Sequence, residues 1–532
     1  MMMTAVDMTI PQVLDAQAER FPEREFVRIV GKDEVLTFRG LAEESKGFAR
    51  ALAARGVGPG DRVAVAAENG REWLVAFFGV LRLRAIAVTI NPLYREGELM
   101  HMLASTGTKA VVSSARSGEY SLAGFYAEAE LPELETVVLI GEDSDLRPGQ
   151  VSFEQVCSTG AGLLAPAEPP APAEGAEGGS AGDAAVILFT SGTTGRAKGA
   201  VLTHASLLAS AAAQVEEFGF GEEDRLLGIM PLNHVGGLTC TVLSGLLAGT
   251  VIEMLPRFHP TVVADLLVAG RLSVMVGVPT MHIMVLQDER LKVARLSAVR
   301  LCVIGGSNVE SAVAAALAER FPNARLANLY GLSETSGACV ISPAGVSHEE
   351  LSASIGAPIG AFRAQVADEL GRPLPAGSPG ELQISGGCVF QGYWGLPEAT
   401  AETLTPDGWL STGDIAVMSE SGRISLRGRS KEMYVRGGYN VYPAEVENVI
   451  SAVPGVGMVA VVGTTDEKYG ATGRAYVQRA GNRPGPDGVN EEEILAACRT
   501  ALAEYKVPDS VVFVESLPLT PSGKIRKTDL GG

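Results

Sequence analysis

Nothing in this sequence restricts the fold as much as the repeated switch between strand-like and helix-like hydrophobic patterns across residues 25–113. Residues 25–30 and 34–38 read as a hairpin, and 39–55 as an amphipathic helix stopped by Gly56. Residues 62–67 read as a short apolar strand, 72–84 as a strongly apolar helix, 85–90 as a strand, 96–105 as a helix and 109–113 as a strand. Asn91, Pro92, Leu93 and Tyr94 interrupt the series as a turn. Strands alternating with helices predict an α/β fold of stacked βα units with mostly parallel sheets.

A further apolar run, 184–189, reads as a buried strand and leads into Thr190, Ser191, Gly192, Thr193, Thr194, Gly195, Arg196, Ala197, Lys198 and Gly199. Glycines let backbone amides approach an anion closely, hydroxyls add donors, and Lys198 adds a mobile positive charge. That chemistry suits a polyphosphate. It is not a Walker A loop, because two residues separate Gly192 from Gly195 and the lysine follows three residues later. An Ala/Leu-rich helix is expected near 206–215, and the Ala/Pro/Glu/Gly-rich stretch 163–182 reads as an exposed loop.

Beyond it, Pro231, Asn233, His234, Val235, Gly236 and Gly237 form an irregular loop at a strand end, where open α/β sheets place ligands. Strands are expected at 275–278 and 301–304. The second runs into Gly305, Gly306 and Ser307 and a helix capped near Asn308, a nucleotide-type approach point. A strand at 325–329 ends in Tyr330, Gly331, Leu332, Ser333, Glu334 and Thr335. There an aromatic ring can stack on a purine and a carboxylate can hold a divalent metal.

From Gly356 the texture changes to short strands and Gly/Pro turns, predicting a small antiparallel, barrel-like segment over 356–429. Within it Ser411, Thr412, Gly413 and Asp414 put one carboxylate at a turn. After Gly428, Arg429, Ser430 and Lys431 the pattern restarts. Helices at 443–451 and 490–504 with strands at 457–462, 475–478 and 510–514 make 430–532 a small α+β domain, distinct from the large domain 1–429. The tail from Leu519 to Lys527 is a turn carrying Lys524, Arg526 and Lys527.

Composition narrows the partners. A formal charge of −19 argues against bulk nucleic-acid binding and a basic membrane-docking surface. The most apolar stretch, 226–247, is broken by Pro231, Asn233, His234 and glycines, so no membrane span is expected. Six scattered cysteines form no C-x-x-C pair, which argues against a disulfide framework or a zinc cluster. The first residues carry no leader pattern, and a cytoplasmic location is expected.

Taken in order, these motifs resemble the acyl-CoA synthetases of the adenylate-forming superfamily along nearly the whole chain. The match continues through Gly437, Gly438, Tyr439, Asn440, Val441, Tyr442, Pro443, Ala444, Glu445, Val446 and Glu447 to the lysine tail. The resemblance implies a two-step ligase using ATP, Mg²⁺ and CoA. A carboxylate attacks the α-phosphate of ATP, pyrophosphate leaves, and a thiol then displaces AMP. It implies that Thr190, Ser191, Gly192, Thr193, Thr194, Gly195 and Lys198 cradle the β- and γ-phosphates. Glu334 helps bind Mg²⁺, Thr335 touches the AMP phosphate, and Gly306, Ser307, Tyr330 and Gly331 surround the adenine. Asp414 receives the ribose hydroxyls with Arg429 beside it. Lys524 bridges the substrate carboxylate and the α-phosphate, and His234 gates the acyl site. The family rotates its small, mobile C-terminal domain about a hinge, here Lys431, to bring Gly437, Gly438 and Tyr439 to the thiol tunnel.

The resemblance places the acyl pocket at Val235, Val278, Gly305, Leu332, Ser333 and Ala338. Val235 stands where amino-acid-activating relatives carry an aspartate, which favours an uncharged, non-hydroxylated acid. Val435 stands where luciferases carry a lysine, which disfavours light emission. Ala471 stands where the family more often has glutamate. A carrier-protein phosphopantetheine acting in trans is the alternative acceptor to CoA, and a degenerate nucleotide- or acyl-binding regulator is the non-enzymatic alternative. Retention of Lys198, Glu334, Asp414 and Lys524 together argues against the latter. Neither the acid's chain length nor the oligomeric state, homodimer included, is legible.

Overall fold

The computed structural model describes residues 6–162, 179–190, 197–292, 296–306, 309, 311–429, 431–436, 439–466, 468–480, 488–520 and 525–530. Two large sheets dominate it. The nine-stranded sheet runs Ala357–Pro358, Gly337–Ile341, Arg325–Leu332, Leu301–Gly305, Val274–Gly277, Arg225–Gly228, Val251–Met254, Glu25–Ile29, Glu34–Thr37. The eight-stranded sheet runs Gly392–Tyr393, Lys198–Thr203, Ala184–Thr190, Ile86–Thr89, Arg62–Ala66, Ala110–Ser114, Thr136–Ile140, Gln150–Ser152. Their interior pairings are parallel, and antiparallel strands lie only towards the edges.

Parallel strands are covered on both faces, and side-chain alternation divides each strand between two cores. Val63 and Val65 join the main cluster, whereas Ala64 and Ala66 face the opposite way. The main cluster draws on both large sheets and on helices Ile10–Arg20, Phe38–Ala53, Arg71–Arg82 and His204–Phe218 between them. Helices Glu96–Thr106 and Leu122–Glu128 cover the outside of the eight-stranded sheet. Helices Pro260–Val268, Pro279–Leu286 and Ser311–Arg320 cover the outside of the nine-stranded sheet. The result is five alternating layers of helix and sheet.

Local signals explain the helix starts. Thr37 accepts the Gly40 N–H at 2.9 Å, and Thr203 forms a reciprocal capping box with Ser206. Asn490 and Glu493 cap Glu491–Ala501 in the same way. The helix expected from Asn308 is described as Ser311–Arg320, and Asn308 lies outside the described residues, as does most of the expected 163–182 loop.

Two expectations change. The segment before and after the Gly/Ser/Thr loop is an antiparallel hairpin, Ala184–Thr190 with Lys198–Thr203, so a strand stands between that loop and the following helix. The carboxylate motif 411–414 is not at a turn. It lies inside one continuous strand, Trp409–Met418. Gly413, with φ +74°, gives the motif its turn-like appearance, and the register against Pro379–Ser385 shifts beside it as a bulge.

The 356–429 segment is a four-stranded antiparallel sheet, Arg363–Ala367, Pro379–Ser385, Trp409–Met418, Ile424–Arg429, whose order does not close on itself. Its inner side chains, among them Leu382, Ile384, Leu410 and Ala416, join the main core. The small C-terminal domain has its own core around Tyr434, Val446, Ile450, Val461, Val477 and Ile494. Glu445 on its helix Pro443–Ser451 meets Arg427 of the four-stranded sheet at 3.4 Å. All six cysteines are free, five of them buried. Among the described residues no helix is long and apolar enough to cross a membrane.

Two buried histidines make the fold sensitive to acid. His204 Nδ1 accepts the Ile10 N–H at 3.2 Å, and His282 Nε2 donates to the Val303 carbonyl at 3.1 Å. Burial lowers each imidazole from 6.5 to about 4. The folded values lie below the unfolded ones, so the unfolded chain binds protons first as pH falls. Their contribution is complete above about 6.5 and is lost towards pH 4. Chemical-denaturation midpoints across that window are expected to drop with pH. The double substitution His204→Asn, His282→Asn is expected to flatten the slope by about two protons.

Candidate active site

Three neighbouring parallel strands, Val274–Gly277, Leu301–Gly305 and Arg325–Leu332, end on the same side of the nine-stranded sheet. Ligands of open α/β sheets bind beyond such carboxyl ends. A cavity opens there, walled by Gly277, Val278, Gly305, Gly306, Leu329 and Gly331. Met230, His234, Val235 and Gly236 close it from the loop after Arg225–Gly228, and Cys240 reaches it from the π-helical turn Leu238–Leu243. Among the described residues that wall holds no carboxylate, lysine or arginine, and burial pushes the Cys240 thiol up to about 11.

That loop is held from the other large sheet. The buried Asn69 donates to the Met230 carbonyl at 3.0 Å and accepts the Leu232 N–H at 3.0 Å. His234 caps the helical turn Val235–Gly237, its Nδ1 accepting the Gly236 N–H at 3.0 Å. That bond places the proton of the neutral ring on Nε2.

Of the six residues expected to form the acyl pocket, Val235, Val278 and Gly305 line the cavity. Leu332, Ser333 and Ala338 do not. Ala338 is fully buried in the main core, and Gly337, Gly331 and Leu329 stand in the wall instead. Adjacent positions of a strand face opposite sides, so an error of one residue in phase exchanges wall for core. A β-carbon at Gly331 would sit 2.0 Å from the Gly337 carbonyl oxygen, so only glycine permits the close pairing there.

On the other face of the same strand lies a charged cluster. Asp414 is 4% exposed. Its Oδ2 accepts the Tyr330 hydroxyl at 2.6 Å, and its Oδ1 lies 2.7 Å from Arg429 Nε. Asp414 and Arg429 are register partners on adjacent strands, which brings the two charges together. Burial, and then the Asp414 charge, push the Tyr330 phenol far above its ordinary value, so it remains a donor.

Glu334 sits in the single turn Ser333–Thr335. The Thr335 hydroxyl is fully buried and engaged with Leu332 N–H at 2.8 Å and the Gly337 carbonyl at 2.8 Å. It locks the turn. Tyr393, outside every motif singled out in the sequence, donates its hydroxyl to Glu334 Oε1 at 2.8 Å. Lys198 Nζ lies 5.1 Å from the centre of the same ring. Thr190 and Lys198 face each other as the last pair of their hairpin.

Ser191, Gly192, Thr193, Thr194, Gly195, Ser307, Gly437, Gly438 and Lys524 lie outside the described residues. Lys431 is exposed between the strands Ile424–Arg429 and Tyr434–Arg436. Tyr439 is exposed and stacked on Tyr505 at 4.7 Å. Sequence reasoning missed Asn69, Gly337, Cys240 and Tyr393; the aromatic cluster Phe390, Tyr393, Trp394 was the available signal for the last.

Known proteins converge on one family. The chain matches the model described as AMP-binding enzyme over residues 14–394, and that of the AMP-binding enzyme C-terminal domain over 445–524. It is 35% identical to a feruloyl-CoA synthase from Amycolatopsis sp, over 93% of each chain. It is 31% identical to a mitochondrial medium-chain acyl-CoA ligase from Rattus norvegicus, covering 99% of this chain and 87% of that one. The ATP-bound structure of MatB from Rhodopseudomonas palustris matches with a TM-score of 0.84 at 28% identity, covering 98% of each chain. The family model over residues 14–394 and the relatives matched at this length place the chain in the AMP-binding enzyme family as an acyl-CoA synthetase.

Proposed function

We propose that the chain activates an apolar monocarboxylic acid, aromatic or medium-chain aliphatic, as its acyl-adenylate and passes the acyl group to CoA. The observation that carries this reading is the cavity wall of Met230, Val235, Cys240, Val276, Val278, Val303 and Leu329, which among the described residues holds no carboxylate, lysine or arginine. A substrate ammonium or second carboxylate would be buried there without a partner, at a cost of several kcal/mol. The names of the feruloyl-CoA and medium-chain relatives point the same way.

In the first step a carboxylate oxygen attacks the α-phosphorus, the bond to the β-phosphate breaks, and pyrophosphate leaves. The nucleophile is already ionised at neutral pH, so no general base is needed, and His234 acts as part of the acyl-site wall. The Asp414 carboxylate, held by Arg429 and Tyr330, accepts the ribose hydroxyls. Lys198 and the 190–195 loop neutralise the leaving phosphates, and Lys524 bridges the two reacting groups. Mg²⁺ is commonly held by one or two carboxylates plus substrate phosphates, so the single carboxylate of Glu334 fits that role. When bound, the ion offsets phosphate charge. In the second step the CoA sulfur attacks the acyl carbonyl and AMP departs. Rotation of the C-terminal domain about Lys431 exchanges Lys524 for the 437–439 segment.

Removing the ribose acceptor by Asp414→Ala is expected to raise the KM for ATP about 5- to 150-fold, the equivalent of about 1–3 kcal/mol. Steady-state kinetics at saturating acid measure it. Lys524→Ala is expected to abolish pyrophosphate release while thioester formation from supplied acyl-AMP continues, since the lysine serves only the first geometry; equal loss of both half-reactions would remove that assignment. In a pyrophosphate-release panel, fatty and aromatic monocarboxylates are expected to react and α-amino acids and dicarboxylates to stay inactive. Val278→Trp is expected to shorten the longest acid accepted with little change in ATP affinity. Turnover of malonate at rates matching a monocarboxylate would overturn the pocket assignment.

A further inference from the structure

The segment 390–394 touches two parts of the site at once. The Phe390 N–H donates to the Glu334 carbonyl at 2.9 Å, and the Trp394 N–H donates to the Gly199 carbonyl at 2.8 Å. Between them Gly392–Tyr393 pairs with the hairpin strand Lys198–Thr203, Tyr393 opposite Ala200. The Tyr393 ring therefore stands at the meeting point of the phosphate-loop hairpin and the Glu334 turn. It is braced edge-on by Phe390, with ring centres 4.9 Å apart and planes at 73°. Its face carries the Lys198 ammonium at 5.1 Å and its hydroxyl carries the Glu334 carboxylate at 2.8 Å.

Two opposite charges brought this near would ordinarily close into an ion pair, each cancelling the other's attraction for substrate. Among the described residues no ion pair joins Lys198 to Glu334. The ring gives each charge a separate partner, a π face for the cation and a hydroxyl donor for the anion.

We propose that Tyr393 is a positioning residue that keeps Lys198 and Glu334 apart and separately aimed, so that the carboxylate meets the divalent cation and the ammonium meets the phosphates of a metal–nucleotide complex. This rests on the roles given above to Lys198 and Glu334. It assigns a function to a residue outside every motif singled out in the sequence and outside the wall of the acyl cavity.

The test is ATP binding by calorimetry on the full chain, with and without Mg²⁺, alongside thermal unfolding. Tyr393→Phe keeps the ring and removes only the hydroxyl. It is expected to leave metal-free ATP affinity and the unfolding temperature near wild type while reducing the Mg²⁺-dependent tightening about tenfold. Tyr393→Leu, which also frees Lys198 to pair with Glu334, is expected to weaken metal-free ATP binding as well. Glu334→Gln is expected to abolish the Mg²⁺-dependent tightening. Loss in Glu334→Gln with wild-type behaviour in Tyr393→Phe would overturn the positioning role alone. Retention of the tightening in Glu334→Gln would overturn the metal reading on which it rests. Equal weakening with and without Mg²⁺ in Tyr393→Phe would reduce the residue to a structural one and also overturn the proposal.

Discussion

A carboxylate buried between strands must be matched, and at Asp414 that requirement joins two sheets. Unpaired, a charge with 4% exposure would cost several kcal/mol. Arg429 answers it from the adjacent strand, and Tyr330 answers it from the nine-stranded sheet. Breaking either contact leaves the other partner facing an uncompensated charge. The 2.6 Å hydrogen bond thereby fixes the four-stranded sheet against Arg325–Leu332, the strand that also forms one wall of the cavity.

The alternation of that strand sorts the chemistry. Tyr330 points to the charged cluster, while Leu329 and Gly331 on either side of it point to the neutral cavity. Charge and apolar surface are thus separated by one backbone thickness, which is the arrangement needed when a polyanion and an apolar acid must meet at a single bond. Glycines 331 and 337 let the next strand approach, and Asn69 holds the Met230–Leu232 backbone opposite. The cavity wall is thus held from both large sheets, so its geometry depends on the shared helical layer between them.

Much of this was legible in the sequence. The βα units were, because doubly buried strands and amphipathic helices carry distinct hydrophobic periods over many residues. Helix Pro443–Ser451 and strand Ser510–Val514 fall where the sequence reading put them, with Pro443 marking the helix start. The strand Lys198–Thr203 was not, because its pairing with Ala184–Thr190 spans a loop whose composition speaks of ligand rather than hairpin. Asp414 was found as a residue but misplaced as a turn, since a glycine with positive φ reads alike in a turn and in a bulge. Tyr393 was not found because its two partners, Lys198 and Glu334, are distant in the chain.

The central claim is chemical: the acid's own oxygen becomes bonded to the α-phosphorus. An acid labelled with oxygen-18 in its carboxylate, turned over with ATP and CoA, tests it by mass spectrometry of the products. Attack at the α-phosphorus, followed by thiolysis at the acyl carbon, must leave one labelled oxygen in AMP and none in pyrophosphate. Unlabelled AMP, or label appearing in inorganic phosphate with release of ADP, would contradict the account.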